Sequence, residues 1–374
     1  VMVLSTTKWD SQFEAFKDKL RRRKITGPSD CARETLELLR SMLGSCKWSN
    51  CQEMMDHIKR VGAELTDAQP LELSIGNLIR RILFIIREEY ATNLSARDGG
   101  LANHNDEVTM QPSLGRILMS EDESKTDSDM DYTGTLKGLI SGIMAQVNEL
   151  MNEIETVHLT IMEQALNHIS DQSLILTFGR SRCVESFFVA AAKNQKRSFQ
   201  VLVAESAPYY GGQEMAKRLA AKGIDVTVIA DSAVFAMMPR VDKVVLPTHA
   251  VMANGGLIAP SGGHMLALAA QEHSVPVVCV TGLFKLCPLY PHDLNAFNEL
   301  RSPASVLSYF DTTNRTRLRE DAEVLNPAYD FVPPELIALY VTNNGGYQPS
   351  YIYRLLAEFY HPSDYSLDQG PPGL

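Results

Sequence analysis

The sequence predicts an α/β protein: an N-terminal helical domain followed by a Rossmann-like, doubly wound parallel-sheet domain. Three observations lead there. Apolar residues recur every three to four positions through the first half, the period of a helix with one buried face. From residue 174 onward the period changes, and short β-rich runs at 174–178, 199–204, 225–230, 243–246 and 276–280 alternate with helical stretches at 184–194, 212–222, 232–238 and 262–273. These runs are continuous rather than alternating, which is how strands read when both faces of a sheet are covered. Strand, helix, strand in repetition means right-handed crossovers and a parallel sheet. The division is expected at 168/169, giving a helical domain over 1–168 and a Rossmann-like domain over 169–374.

In the first domain, Trp9, Phe13, Phe16 and Leu20 mark a helix that Gly27-Pro28 is expected to stop. The run Arg21-Arg22-Arg23-Lys24 at its end opposes the negative pole of the helix dipole. Leu36, Leu39 and Leu43 mark a second helix, ended at Gly44. Ser49 with Gln52 reads as a capping box opening a third, with Met54, Ile58, Val61 and Leu65 on one face. Ile75, Leu78, Ile79, Ile82 and Ile86 make a fourth. A long fifth runs from about Leu136 to His168 through Ile143, Val147, Leu150, Ile154 and Val157. Between the fourth and fifth, residues 92–134 hold few large apolar side chains and the acidic residues Glu121, Asp122, Glu123, Asp127, Asp129 and Asp131. Like charge with low hydrophobicity does not offset ordering entropy, so this stretch reads as a disordered acidic insert.

Composition narrows the function. The chain has 374 residues and a net charge of −10, which argues against a nucleic-acid grip built on clustered positive charge. No apolar run approaches the ~20 residues of a membrane helix. The first twenty residues scatter aromatics among charges, unlike the apolar centre of a signal peptide. Six cysteines show no C-x-x-C and no zinc-like pairing with histidine, so reduced thiols in a cytosolic protein, with no metal or cofactor, are expected.

In a doubly wound sheet the ligand crevice lies at the carboxyl ends of the strands, where strand order reverses. With a 3-2-1-4-5 order, the loop after strand one (Gly179, Arg180, Ser181, Arg182) meets the loop after strand four (His249, then Asn254-Gly255-Gly256), and Ser261-Gly262-Gly263 opens the next helix. Arg180, Ser181, Arg182, His249 and Asn254 form a candidate anion pocket. Yet G-x-G-x-x-G and the P-loop pattern are absent. His249 is the single titratable side chain placed at the switch point, and a base needs a partner to orient it. Cys183, beside Val184, Phe187 and Phe188, reads as a buried, inert thiol.

Longer segments carry a resemblance. Val203-Ala204-Glu205-Ser206-Ala207-Pro208, Gly211 through Ala216, Ala230-Asp231-Ser232-Ala233 and Asn254-Gly255 resemble the family that joins the alpha, beta and delta subunits of translation initiation factor 2B with sugar-phosphate isomerases such as methylthioribose-1-phosphate isomerase. Phe235-Ala236, Phe284-Lys285-Leu286, the stretch from Val332 to Ile337, Asn344-Gly345-Gly346 and the stretch from Pro349 to Leu355 are similar to its regulatory subunits. The resemblance implies a catalytic cysteine at or next to Gly179 and a catalytic aspartate at His249 in the isomerases; both are missing here, and Cys183 lies four residues too late to substitute. It therefore implies a non-catalytic regulatory subunit of the complex that exchanges guanine nucleotide on initiation factor 2 and senses phosphorylation of that factor's alpha subunit. The implied partners are the delta, alpha, gamma and epsilon subunits and initiation factor 2 itself, with no membrane and no direct nucleic acid. The other readings are a sugar-phosphate isomerase and a phosphosugar or nucleotide sensor. Aromatic density near the C terminus, with arginine beside it, points to Tyr347, Tyr351, Tyr353, Arg354 and Phe359 as a subunit interface.

Overall fold

The structure is a computed structural model and describes residues 8–98, 132, 138–193, 197–291, 298–307 and 323–367. Five helices come first: α1 (Lys8–Arg21), α2 (Pro28–Ser45), α3 (Cys51–Ala68), α4 (Leu73–Asp98) and α5 (Leu139–His168). Helix α1 ends at Arg21, before Gly27-Pro28. Those two residues open α2 instead: Gly27 takes φ 97° and Pro28 sits in the first turn, where a missing N–H costs nothing. The capping box expected on Ser49 and Gln52 falls one residue later. Asn50 is the cap, its side chain accepting from Glu53 N at 2.8 Å, and the Glu53 carboxylate reaches back to Ser49 N at 3.1 Å.

Helix α4 continues to Asp98, so 92–98 belong to a helix and not to the expected insert. At the insert's far end Tyr132 is buried against the Tyr90 ring at 5.1 Å. Most of the insert, and with it the disorder expected there, lies outside the described residues.

The second part alternates as expected. Strands β1 (Leu174–Phe178), β2 (Gln200–Ala204), β3 (Asp225–Ile229) and β4 (Lys243–Pro247) are joined through α6 (Arg182–Lys193), α7 (Gly211–Ala221) and a short helical turn, Val234–Met237. Then come β5 (Ala250–Val251), β6 (Leu257–Pro260), α8 (Gly263–Glu272), β7 (Val277–Val280), β8 (Tyr329–Val332), β9 (Leu339–Thr342), β10 (Gly345–Tyr347) and α9 (Ile352–Phe359). The main sheet runs β10-β9-β7-β4-β1-β2-β3, parallel except for β10, so strand order reverses at β1 as predicted. A second, antiparallel sheet, β5-β6-β8, was not expected.

Alternate strand residues feed two cores. Ile175, Val201 and Val203 join a cluster that continues through Phe187 and Phe188 of α6 into α1–α5. Leu176, Leu202 and Leu246 point the other way, under α8 and the Ile352, Leu355 and Leu356 face of α9. One apolar core thus crosses the 168/169 division: the long buried stripe of α5 packs on α6, and α6 packs on the sheet. Each large side chain buried in it contributes roughly 1.5–3 kcal/mol.

Candidate functional site

The loops at the carboxyl ends of the strands are built around charge, and the charges are already paired. Arg180 Nη1 meets the Glu214 carboxylate at 2.8 Å, and Arg182 meets Asp30 at 3.4 Å. The N–H groups of Ser206 and Ala207, after β2, donate to the Asp231 carboxylate at 2.9 and 2.7 Å. At the start of α8, Gly262 N and His264 N donate to the Asp330 carboxylate at 2.6 and 3.3 Å. At each of these four places one of the chain's own carboxylates occupies the cation or the N–H groups. Asn254 turns inward on its own loop, its side chain accepting from Gly256 N at 3.0 Å. The Ser181 hydroxyl caps the first turn of α6 at Val184 N, 3.5 Å away. Of the five residues expected to form an anion pocket, Arg180 and Arg182 are paired with Glu214 and Asp30, Ser181 and Asn254 bond backbone N–H groups of their own segments, and His249 bonds Leu71 O.

His249 is buried at 8 % exposure. Its Nε2 donates to Leu71 O at 2.9 Å, with the buried Glu72 carboxylate 3.8 Å away. The ring lies on Tyr329 with centroids 4.4 Å apart. The stack goes on: the Arg301 guanidinium lies 5.4 Å from the Tyr329 ring and 5.3 Å from the Tyr209 ring. Asn326 Nδ2 then donates to the Tyr209 hydroxyl at 2.9 Å. Burial, with Glu72 nearby, pushes the Tyr329 hydroxyl up to about 12. Burial also raises Tyr209, but hydrogen bonds from Ser305 and Asn326, with Arg301 beside it, outweigh that and hold it below its ordinary value. His249 follows β4 and Tyr209 follows β2, while β1 lies between those strands. The stack therefore links the loops on either side of the switch point. Its histidine is spent on a backbone carbonyl, an arrangement suited to holding loops rather than moving a proton.

Gly179, at or next to which the resemblance expects the isomerases' cysteine, has φ 66°. A Cβ built there would meet only Ser206 Oγ, at 3.7 Å, so it is the left-handed backbone rather than crowding that favours glycine. Cys183 is buried in α6. Among the described residues no group of three or more His, Cys, Asp or Glu is placed to hold a metal, and no helix is long and apolar enough to cross a membrane.

The C-terminal aromatics fall into two sets. Tyr347 and Tyr351 stack at 5.3 Å, and the Arg354 guanidinium lies 5.5 Å from the Tyr351 ring. Tyr353 is 65 % exposed. Beside them runs an open groove of about 510 Å³, with Asn254, Pro334, Glu335, Gln348 and Ser350 on its walls. Phe359 points the other way. Its ring lies 4.7 Å from the Arg81 guanidinium of α4, and Arg81 also donates to its carbonyl at 3.2 Å. A feature missed in the sequence sits on the same layer as α9: Phe235, Met265 and Leu268 are exposed on the outer side of the short turn and α8. The outer side of α7, by contrast, carries exposed Glu214, Lys217 and Arg218. Met265 and Leu268 stand three apart on α8, and that spacing was the available signal.

These features define a doubly wound α/β protein with a helical region packed on one face of its sheet. The chain belongs to the Initiation factor 2 subunit family, whose model matches residues 24–349. It is 42 % identical over 381 residues to the translation initiation factor eIF2B subunit beta of Dictyostelium discoideum, covering 95 % of this chain and 97 % of that one. The crystal structure of eIF2B beta from Chaetomium thermophilum superposes with a TM-score of 0.69 at 26 % identity, over 96 % of this chain and 94 % of that one. A chain of the tetrameric eIF2B-beta2-delta2 complex from C. thermophilum superposes at 0.67 and 26 % identity, over 94 % and 96 %.

Proposed function

We propose that this chain is a beta-type regulatory subunit of the initiation factor 2B exchange complex, working in the cytosol and itself non-catalytic. The observation that carries the reading is near-full-length similarity to subunits of that name. The crevice supports it: on the resemblance the isomerases' cysteine falls at or next to Gly179 and their aspartate at His249, which is buried and bonded to Leu71, while Glu214 and Asp330 sit on Arg180 and on Gly262 N. Proton transfer without a positioned group forfeits roughly two to four orders of magnitude. The crevice is vestigial on this reading.

The subunit acts through surfaces. The layer formed by α8, α9 and the Val234–Met237 turn meets a delta-type subunit, with Tyr347, Tyr351, Tyr353 and Arg354 at its rim. Exposed apolar side chains grouped on one layer mark such a contact. The helical domain contributes to the surface that meets initiation factor 2 and distinguishes its phosphorylated alpha subunit. The alpha, gamma and epsilon subunits complete the assembly, and epsilon supplies the exchange chemistry.

The test is affinity purification of the tagged chain from its own cells, followed by an exchange assay on initiation factor 2 with and without phosphorylation. Recovery of the other four subunits, and exchange that phosphorylation inhibits, are expected. Conversion of a pentose 1-phosphate by the pure chain, abolished by His249→Ala, would show the reading to be wrong.

A further inference from the structure

Two tyrosines share one guanidinium in the stack that starts at His249, and their surroundings differ. Tyr329 packs against the His249 ring and Arg301, and burial pushes its hydroxyl up to about 12. Tyr209, at the other end, keeps the same guanidinium 5.3 Å from its ring but is 49 % exposed. Tyr210, the next residue in the chain, is open to the same degree, at 47 %. Openness alone therefore does not set Tyr209 apart; its neighbours do.

The Tyr209 oxygen is met by donors. Asn326 is buried, and its Nδ2 lies 2.9 Å from Ser302 O. A carbonyl only accepts, so this is the donor end of the amide, and it also donates to the Tyr209 hydroxyl at 2.9 Å. The Ser305 hydroxyl, 2.9 Å from the same Nδ2, bonds the phenol as well, and Arg301 adds a positive charge. An amide N–H, a hydroxyl and a guanidinium all favour a phenolate over a phenol. Burial opposes ionisation of Tyr209, but these three neighbours outweigh it and hold the hydroxyl below the ordinary tyrosine value of about 10.

We propose that Tyr209 is a nucleophilic tyrosine, a modification site that takes an acyl group from an activated acyl donor in preference to the other exposed tyrosines. The Tyr209 oxygen attacks the acyl carbon, the bond from that carbon to the donor's leaving group breaks, and the phenol proton ends on the leaving group. No electron is gained or lost, so no oxidant or reductant is needed. A nucleophile of this kind is activated by a lowered proton affinity and by open access, and Tyr209 has both. The acylated oxygen carries no charge and is crowded away from Asn326, so modification frees the loop after β2 from the segment that holds Asn326 and Arg301. None of these residues belongs to the layer proposed to meet a delta-type subunit, and the reactivity of Tyr209 is independent of that reading.

Treatment of the full chain with limiting N-acetylimidazole near neutral pH, followed by peptide mass spectrometry over time, tests it. Tyr209 should be acetylated several-fold faster than Tyr210 and Tyr353, with imidazole released. Hydroxylamine should remove the group, which distinguishes a phenol ester from a lysine amide. In Arg301→Gln and in Asn326→Leu the rate at Tyr209 should fall to that at Tyr210. Equal rates at Tyr209 and Tyr210 in the wild-type chain, an ester on Ser305 in place of Tyr209, or a preference unchanged in both variants overturns the proposal. The pH profile of the wild-type chain needs no substitution and decides the question even if neither variant folds. The rate at Tyr209 should level off at a lower pH than the rate at Tyr210, and coincident profiles overturn the proposal.

Discussion

The strand-end loops and the C-terminal segment both concentrate charge, and they place it in opposite surroundings. At the strand ends, Arg180 and Glu214 keep 50 % and 47 % of their side-chain surface in water. At the C terminus, Asp364 keeps none: Lys59 of α3 lies 2.7 Å away, Arg87 of α4 bonds both its oxygens at 3.0 and 3.1 Å, and Arg87 also reaches the Tyr132 hydroxyl at 3.0 Å. Arg80 and Arg81 grip the carbonyls of Tyr365 and Phe359 at 3.1 and 3.2 Å. Exposed pairs gain little, because water screens them and ordering two long side chains costs entropy. Buried pairs are costly to break, because a lone charge is left behind. The loops that could serve a ligand hold loosely, while the last residues hold the helical domain to the sheet domain. Strong electrostatics here serves the joining of parts, as expected of a subunit that works by contact.

The sharpest way to break this comparison is Asp364→Asn. It leaves Lys59 and Arg87 buried without their anion and should cost about 3–5 kcal/mol in denaturant unfolding. A loss below about 1 kcal/mol would erase the contrast between the two regions. The same group sets an acid limit. Burial raises the Asp364 carboxyl, but hydrogen bonds from Arg87 and Lys59 outweigh this and hold it below its ordinary value. A depressed folded value means the stabilisation is present above the unfolded value of about 3.9 and is lost as pH falls through the folded one. Wild type should therefore lose stability from about pH 4 downward more steeply than Asp364→Asn. Parallel curves for the two proteins would show that Asp364 is not the group responsible.

The next effect concerns the outer layer. Tyr351→Ala or Arg354→Glu should weaken retention of a delta-type partner by about 2 kcal/mol if either side chain anchors the contact. Phe235→Asp should do the same from the far side of that layer. Phe359→Ala is the contrasting case: its half-buried ring packs on Arg81 of α4, so it should lower the melting temperature of the chain more than it lowers partner retention. Equal loss of partner from Phe359→Ala and Tyr351→Ala, without loss of stability, would place the interface elsewhere.

The parts legible in the sequence were those whose reason is local. Continuous apolar runs gave β1–β4 and β7 almost residue by residue, and three-to-four spacing gave the five early helices. The β5-β6-β8 sheet was not legible: β5 has two residues, and β8 meets β6 across some seventy positions of intervening chain. Gly27-Pro28 was read as a stop because the pair ends helices as readily as it opens them; only the φ of Gly27 decides. At the site, the glycine at position 179 was visible in the sequence, and its left-handed φ of 66° was not. The filling of the anion seats was not, because Asp330 lies 68 residues from the N–H group it occupies at Gly262. Asp364 gave no signal either, since its Arg87 partner is 277 positions away.

The smallest effect belongs to the strand-end pair. Arg180 bonds Glu214, and Glu214 is held below its ordinary value first by Arg218 and also by Arg180. Removing Arg180 therefore leaves Glu214 with a second cation and with water. Nothing is stranded, unlike Lys59 and Arg87 after loss of Asp364. A double-mutant cycle of Arg180→Ala and Glu214→Ala should show no coupling above the scatter of the unfolding assay, and added salt should leave it unchanged because screening has little left to remove. The same loops should ignore anions: inorganic phosphate or a pentose phosphate should not raise the melting temperature of the wild-type chain, since a ligand stabilises only what it binds. A rise with phosphate that Arg180→Ala abolishes would mean that Glu214 merely guards a working anion seat. The two regions would then differ in their ligand and not in their purpose.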